Sequence, residues 1–182
     1  MSTETESTNS FSLVYPQLAD RLAEQLPGIG WIDLDMDQIE QDAQDYPLPY
    51  DAGCLFISFD EVEWQDLLQG VQRGEAVIRF TYAVQVVQDS YQHSSQRSAA
   101  MAKLQTIGAI HQALQHFEGD GFGALVRTYS RKEPLTQPGL WVYSQGYKCR
   151  LFDAAGHDAG GGEVENLEME SRGNIVVELP VL

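Results

Sequence analysis

The chain is short of the residues that staple, span or grip. It has two cysteines in 182 residues, Cys54 and Cys149, both inside apolar strand patterns, so buried reduced thiols are a better expectation than a disulfide. Its purely apolar runs are a few residues long, far from the ~20 that cross a bilayer, and no membrane partner is expected. Met1 to Ser10 is polar and has no basic n-region, so a soluble cytosolic product without a signal peptide is expected. Positive charge is scarce: 11 Lys and Arg face 27 Asp and Glu, a net −16, and the bases are mostly scattered along the chain. Phosphate recognition needs clustered Lys and Arg, which argues against nucleic acid and anionic membranes as partners. The same acidity keeps a protein soluble, and lets a polyanion pass without sticking.

What is present is enough for one domain. A chain of this length buries roughly 70% of its unfolded surface, so the core needs no metal or disulfide. Residues 1–10 are rich in Ser, Thr, Glu and Asn and read as a disordered end. A first helix is expected over Tyr15 to Leu26, with Pro16 in its first turn, Ser12 upstream for capping, Gly28 beyond its end, and Val14, Leu18, Leu22 and Leu26 as its stripe. Trp31 to Met36 reads as a short edge strand and Asp42 to Asp51 as a loop. Leu55 to Phe59 is apolar on both faces, as in a central strand, and Val62, Trp64 and Leu68 continue it to a turn at Gly70 to Gly74.

The clearest element follows. Ala76, Ile78, Phe80, Tyr82, Val84 and Val86 alternate with Arg79, Thr81 and Gln85, the mark of a long strand with two unlike faces. Ser94 and Ser95 precede a second helix running to about Phe117, with an inner stripe of Ala100, Leu104, Ile107, His111 and Leu114. Leu125 to Ser130 alternates again, and Leu140 to Phe152 is a further long strand with a bulge expected at Gly146. Asn174 to Leu182 returns to strand character after a Gly- and Asp-rich linker. Strands outnumber helices and mostly join by turns. The expected class is α+β: a mainly antiparallel β-sheet with two helices packed on one face, plus a C-terminal strand extension. The organisation is a disordered 1–10, a domain over 11–152, and an acidic linker and strand over 153–182.

Each candidate for chemistry has a plainer reading. Asp33, Asp35 and Asp37 alternate along a strand where a hard cation would fit, yet Gln38 and Gln44 stand where a calcium loop needs Gly and Glu, so a solvated acidic face is expected. Gly156 to Gly162 is glycine-rich but lacks the Lys-Ser/Thr and the helix of a phosphate loop, and reads as a linker. His111 falls on an apolar helix face with no second His or Cys at metal spacing, as does a packed histidine bonded to a carbonyl. Trp64, Trp141, Tyr82, Tyr143 and Tyr147 would line a groove, but aromatics in alternating strands are usually core and cross-strand pairs. No catalytic, metal or cofactor-binding residue is assigned.

The first helix ending in Leu26-Pro27-Gly28, the run Leu55 to Phe59, Trp64, the strand Glu75 to Val84 ending near Ser90-Tyr91, the second helix, and Gly139-Leu140-Trp141-Val142-Tyr143 form a layout. That layout resembles the phage tail terminator, or tail completion, family, including Mu-like prophage tail proteins. The resemblance covers everything but the two ends and rests on an order of elements, with no catalytic signature. It implies a non-enzymatic virion protein without cofactors, present in the host cytoplasm during assembly. Such a protein forms a homo-oligomeric ring, often a hexamer, on the tail tube, ends its polymerisation and offers a surface to the head. The implied partners are other copies of the chain, the tail tube protein and head–tail connector proteins. Residues 153–182 depart from the pattern, and a head–tail adaptor is the near alternative.

Two further readings belong to other classes: an acidic module that binds a basic protein, and an enzyme whose site is assembled only in space. For a ring, the long hairpin, the acidic loop and the C-terminal strand are the expected contacts, with Trp64, Leu68, Arg79, Thr81, Gln85, Ile175 and Val177 as interface residues. Subunits this acidic repel one another, so salt or divalent cations should favour assembly.

Overall fold

The computed structural model describes residues 9–41, 47–68, 70–86, 89–134 and 139–156, with the short stretches 169–170 and 174–175. In chain order the elements are α1 (Ser10–Gln25), β1 (Trp31–Leu34), β2 (Cys54–Leu68), β3 (Val71–Gln85), α2 (Arg97–Leu114), β4 (Val126–Lys132), β5 (Leu140–Asp153), β6 (Met169–Glu170) and β7 (Asn174–Ile175). The main sheet has five strands in the order β1-β2-β3-β5-β4. Every pairing in it is antiparallel except β1 with β2. The α+β class expected from the pattern is the one found.

Both helices lie on one face. Val14, Leu18 and Leu22 of α1 and Ile110, Ala113 and Leu114 of α2 close over Leu55, Ile57, Ile78, Phe80, Tyr82, Tyr147 and Leu151. Alternation along each strand puts these residues on one side and leaves a second, smaller cluster on the other. There Cys54, Phe56, Ala83, Leu140 and Val142 are covered by Ile39, Leu48 and Tyr50. The segment expected to be a plain loop therefore roofs part of the sheet, which explains why Leu55 to Phe59 is apolar on both faces. Cys54 lies in the smaller cluster and Cys149 in the larger, both unpaired, and burial pushes each thiol up to about 12.

Three boundaries differ from the sequence reading. α1 begins at Ser10, not Tyr15: Asn9 is its cap, its side-chain oxygen accepting from the Ser12 N–H at 2.9 Å. Pro16 is thus inside the helix, where lacking an N–H forfeits one backbone bond. In α2 the inner stripe holds at Ala100 and Leu114, which are buried, and at Ile107, which packs against the core, but Leu104 is 46% exposed and Ile110 and Ala113 are buried in addition. Third, β5 is unbroken at Gly146. Its register with β3 runs without a shift, and the bulge is in β4 between Arg127 and Tyr129. Gly146 is required for a different reason, since the Tyr129 ring lies where a Cβ would stand.

At the C-terminal end, β7 pairs with β6 in a separate two-stranded sheet. Of the end expected to be disordered, 1–10, Asn9 and Ser10 are ordered as the cap and first residue of α1, while 1–8, the linker over 157–168 and the remainder of the last strand, 176–182, fall outside the described residues.

Candidate assembly surface

β2 and β3 are 15 residues each, which at 3.3 Å per residue makes a ladder about 50 Å long. The helices that cover it are shorter. α1, with 16 residues, spans about 24 Å, and α2, with 18, about 27 Å. Neither helix alone spans the ladder, and the distal half of the hairpin, from Glu61 through the turn to Val77, overhangs the core only in part: Val62 packs against the core and Gly74 is buried, while Trp64 to Leu67 of β2 stay exposed.

The overhang has two unlike faces. On the helix side Phe11 stacks on Phe59 at 4.8 Å between ring centroids and meets the edge of Trp64 at 6.4 Å. Trp64 pairs with Gly74 across the ladder, and the absence of a side chain at Gly74 lets the indole and Val62 settle on its backbone. Phe11 and Trp64 remain 38% and 37% exposed, an apolar pair on an otherwise charged surface, and Leu67 near the hairpin turn is exposed as well. Asp153 anchors the start of α1 here. Burial opposes its charge, but the N–H groups of Ser10 and Ala155 donate to its two oxygens and hold the carboxyl below its ordinary value.

The outer face is ionic. Glu75 pairs with Lys148, whose hydrogen bond and charge lower the Glu75 pKa, and Arg150 and Arg73 add to that effect. Nearer the core, Arg79 reaches Asp60 at 3.0 Å, Asp35 at 3.7 Å and the Ser58 hydroxyl at 3.4 Å. One guanidinium from β3 thus ties the bulge of β2 to the end of β1. Beside it Tyr129 lies over Gly146, with Arg131 stacked 5.1 Å from its ring centroid and bonded to Glu133. Burial and the nearby Asp60 raise the Tyr129 pKa.

The expected interface residues do not form one patch. Trp64 is on the overhang, and Leu68 closes the hairpin opposite Val71. Arg79 is engaged within its own chain, and Thr81 is only 5% exposed, its hydroxyl bonded to that of Ser144 at 3.1 Å. That burial corrects the expectation that Thr81 meets a neighbour. Gln85 is exposed but lies at the other end of β3, eleven positions beyond the partner of Trp64 and so about 36 Å away. Ile175 pairs with Met169 in the small hairpin, and Val177 lies outside the described residues.

Sequence reasoning also missed that five of the 11 bases share two neighbouring strands, Arg127, Arg131 and Lys132 on β4 and Lys148 and Arg150 on β5. They are divided between the two faces of the sheet, Arg127 and Lys132 on the helix side and Arg131, Lys148 and Arg150 on the other.

The other candidates take structural roles. Among the described residues no three His, Cys, Asp or Glu side chains converge on one point. β1 ends at Leu34, Asp35 turns to Arg79, and Asp37 sits in a turn at φ 60°. Gln38 closes that turn, its side chain accepting from Met36 N–H and donating to the Leu34 carbonyl. His111 bonds the Tyr147 hydroxyl at 3.1 Å, where a carbonyl was expected. Tyr147 donates to Gln145 Oε1, so the hydroxyl must accept from His111 Nδ1–H, which fixes the tautomer. Burial depresses the His111 pKa, helped by Arg127 and His116, and raises Tyr147 to about 12. Gln145 in turn donates to the Ile107 carbonyl and accepts from Arg127, fastening α2 to the sheet. A cleft of about 370 Å³ between α2 and the segment after α1 is lined by Leu26, Ile29, Tyr82, Lys103, Thr106 and Ala109. Lys103 is spent there on the Asp51 carbonyl.

No protein-family model matches the chain, and no curated protein matches it. Among solved structures it is similar to a chain of the virion of a native gene transfer agent (GTA) particle, covering 76% of this chain and 91% of that one. The identity is 13% and the TM-score 0.37, too remote a likeness to transfer a fold or a function.

Proposed function

We propose that this chain is a non-enzymatic structural protein of a phage or prophage virion: a ring-forming cap on the tail tube that stops its growth and offers a joining surface to the head. The observation that carries this reading is the overhang. A domain that only needed to fold would end its strands under its helices, whereas this one leaves the end of β2 partly uncovered and exposes Trp64 and Leu67 there, with Phe11 of α1 exposed beside Trp64. Such a surface suits protein partners, and the order of elements, which resembles tail completion proteins, narrows the partners to virion components. A net charge of −16 suits a ring through which DNA passes without adhering.

The test is to add purified protein to polymerising tail tube protein and measure tube lengths by electron microscopy. Shortened tubes with density at one end support the cap. Tube lengths that stay unchanged at saturating protein defeat it; binding to a connector ring alone would move the chain to the head–tail joint as an adaptor.

A further inference from the structure

The main sheet has two free edges, and they carry opposite charge. β1 covers β2 only from Cys54 to Ile57, so beyond the bulge the outer edge of β2 is open among the described residues. That stretch holds Asp60, Glu61, Glu63 and Asp66 and no base. At the far side of the sheet β4 pairs only with β5, and its outer edge is open in the same sense. β4 holds Arg127, Arg131 and Lys132 and no acid. All seven of these side chains are exposed.

We propose that copies of this chain associate head to tail, the acidic edge of β2 in one copy pairing with the basic edge of β4 in the next, so that the sheet continues from subunit to subunit. The occupant of each edge is a second copy of the chain. An open edge presents unpaired N–H and C=O groups, and like charges guard it against its own kind. Two β2 edges would set acid against acid, and two β4 edges base against base, which removes both two-fold pairings. The mixed pairing alone brings opposite charges together, and it does so on both faces. Strand alternation puts Glu61 and Glu63 on the outer face with Arg131, and Asp66 on the helix face with Arg127 and Lys132. A heterologous contact of this kind builds a closed ring or an open filament, never an isolated dimer. The inference rests on the ring reading above and supplies its interface.

The experiment uses the full chain in three forms, followed by light scattering over a concentration series. One variant carries Glu61→Lys, Glu63→Lys and Asp66→Lys, the other Arg131→Glu and Lys132→Glu, and unchanged cooperative melting shows that each is folded. The wild type should form a closed oligomer. Each variant alone has two like-charged edges and should associate at least ~100-fold more weakly. Mixed in equal amounts, the variants present acid to base again and should recover assembly. Wild-type protein that stays monomeric, variants that assemble as the wild type does, or a folded mixture that fails to recover would each overturn the proposal. If reversal unfolds either chain, Glu61→Gln and Lys132→Gln are read instead, and equal association with the wild type counts against it. Tube capping by a wild type whose assembly ignores these charges would leave the cap standing and remove the edges; charge-dependent rings that leave tubes uncapped would do the reverse.

Discussion

The near and far halves of the β2–β3 ladder obey the same alternation and differ in what lies above them. From Cys54 to Phe59, opposite Ile78 to Ala83, one face meets α1 and α2, and the other is partly roofed by Ile39, Leu48 and Tyr50. From Glu61 to Leu68, opposite Val71 to Val77, the outer face is uncovered among the described residues, and the inner one is covered only in part, Val62 packing against the core and Phe11 meeting the edge of Trp64. Period-two hydrophobicity therefore marks a strand without saying whether it is buried. Burial is decided by the lengths of the covering elements, and here about 25 Å of helix lies on about 50 Å of ladder.

The sharpest way to break this contrast is a matched pair of truncations. Phe80→Ala, in the covered half, removes a ring that is 1% exposed and packs edge-on against Tyr147, and should cost about 3–5 kcal/mol in denaturant unfolding. Next in size, Gly146→Ala drives a methyl into the Tyr129 ring at the edge of the covered region and should cost about 1–3 kcal/mol, with Tyr129→Ala in the same chain recovering part of it. On the overhang, Trp64→Ala should cost no more than about 1 kcal/mol in the monomer. If it destabilises as much as Phe80→Ala, the distal hairpin belongs to the core and the contrast is false.

Smaller effects refine the picture. The His111 pKa lies below its ordinary 6.5, so the unfolded chain takes up the proton first. The His111 contribution is complete above 6.5 and is lost as pH falls through the lower folded value. A melting temperature that declines from pH 7 toward pH 5, less steeply in His111→Gln, would show this. Asp153, also depressed, should add a second loss only in the range below its ordinary 3.8. Least of all, Glu75→Gln on the bare outer face should leave melting unchanged, because solvent screens its pair with Lys148.

Much of the fold was legible before any coordinates. The alternation from Ala76 to Val84 gave β3 and its inner face, and Leu18 and Leu22 gave the buried side of α1. What misled was local: Pro16 in an apparent first turn hid the Asn9 cap seven residues earlier, and Leu104 fitted the stripe by spacing yet is exposed. The assembly surface was half legible. Trp64 was visible as a strand aromatic, but whether Arg79 and Thr81 were open could not be read from alternation. Facing away from the helices exposes a residue only where nothing else covers that side, and Ser144, Asp60 and Asp35 meet them there.

The sequence by itself determined the periodic elements, the burial of the two thiols, and a surface dominated by acid. These follow from side-chain chemistry at short range and need no partner. Tertiary structure alone decided that β1 runs parallel to β2, that the end of β2 is left partly uncovered, and that five bases fall on the neighbouring strands β4 and β5 across the sheet from an acidic β2. Each of these depends on which strands become neighbours, and strand order is set by packing among segments far apart in the chain.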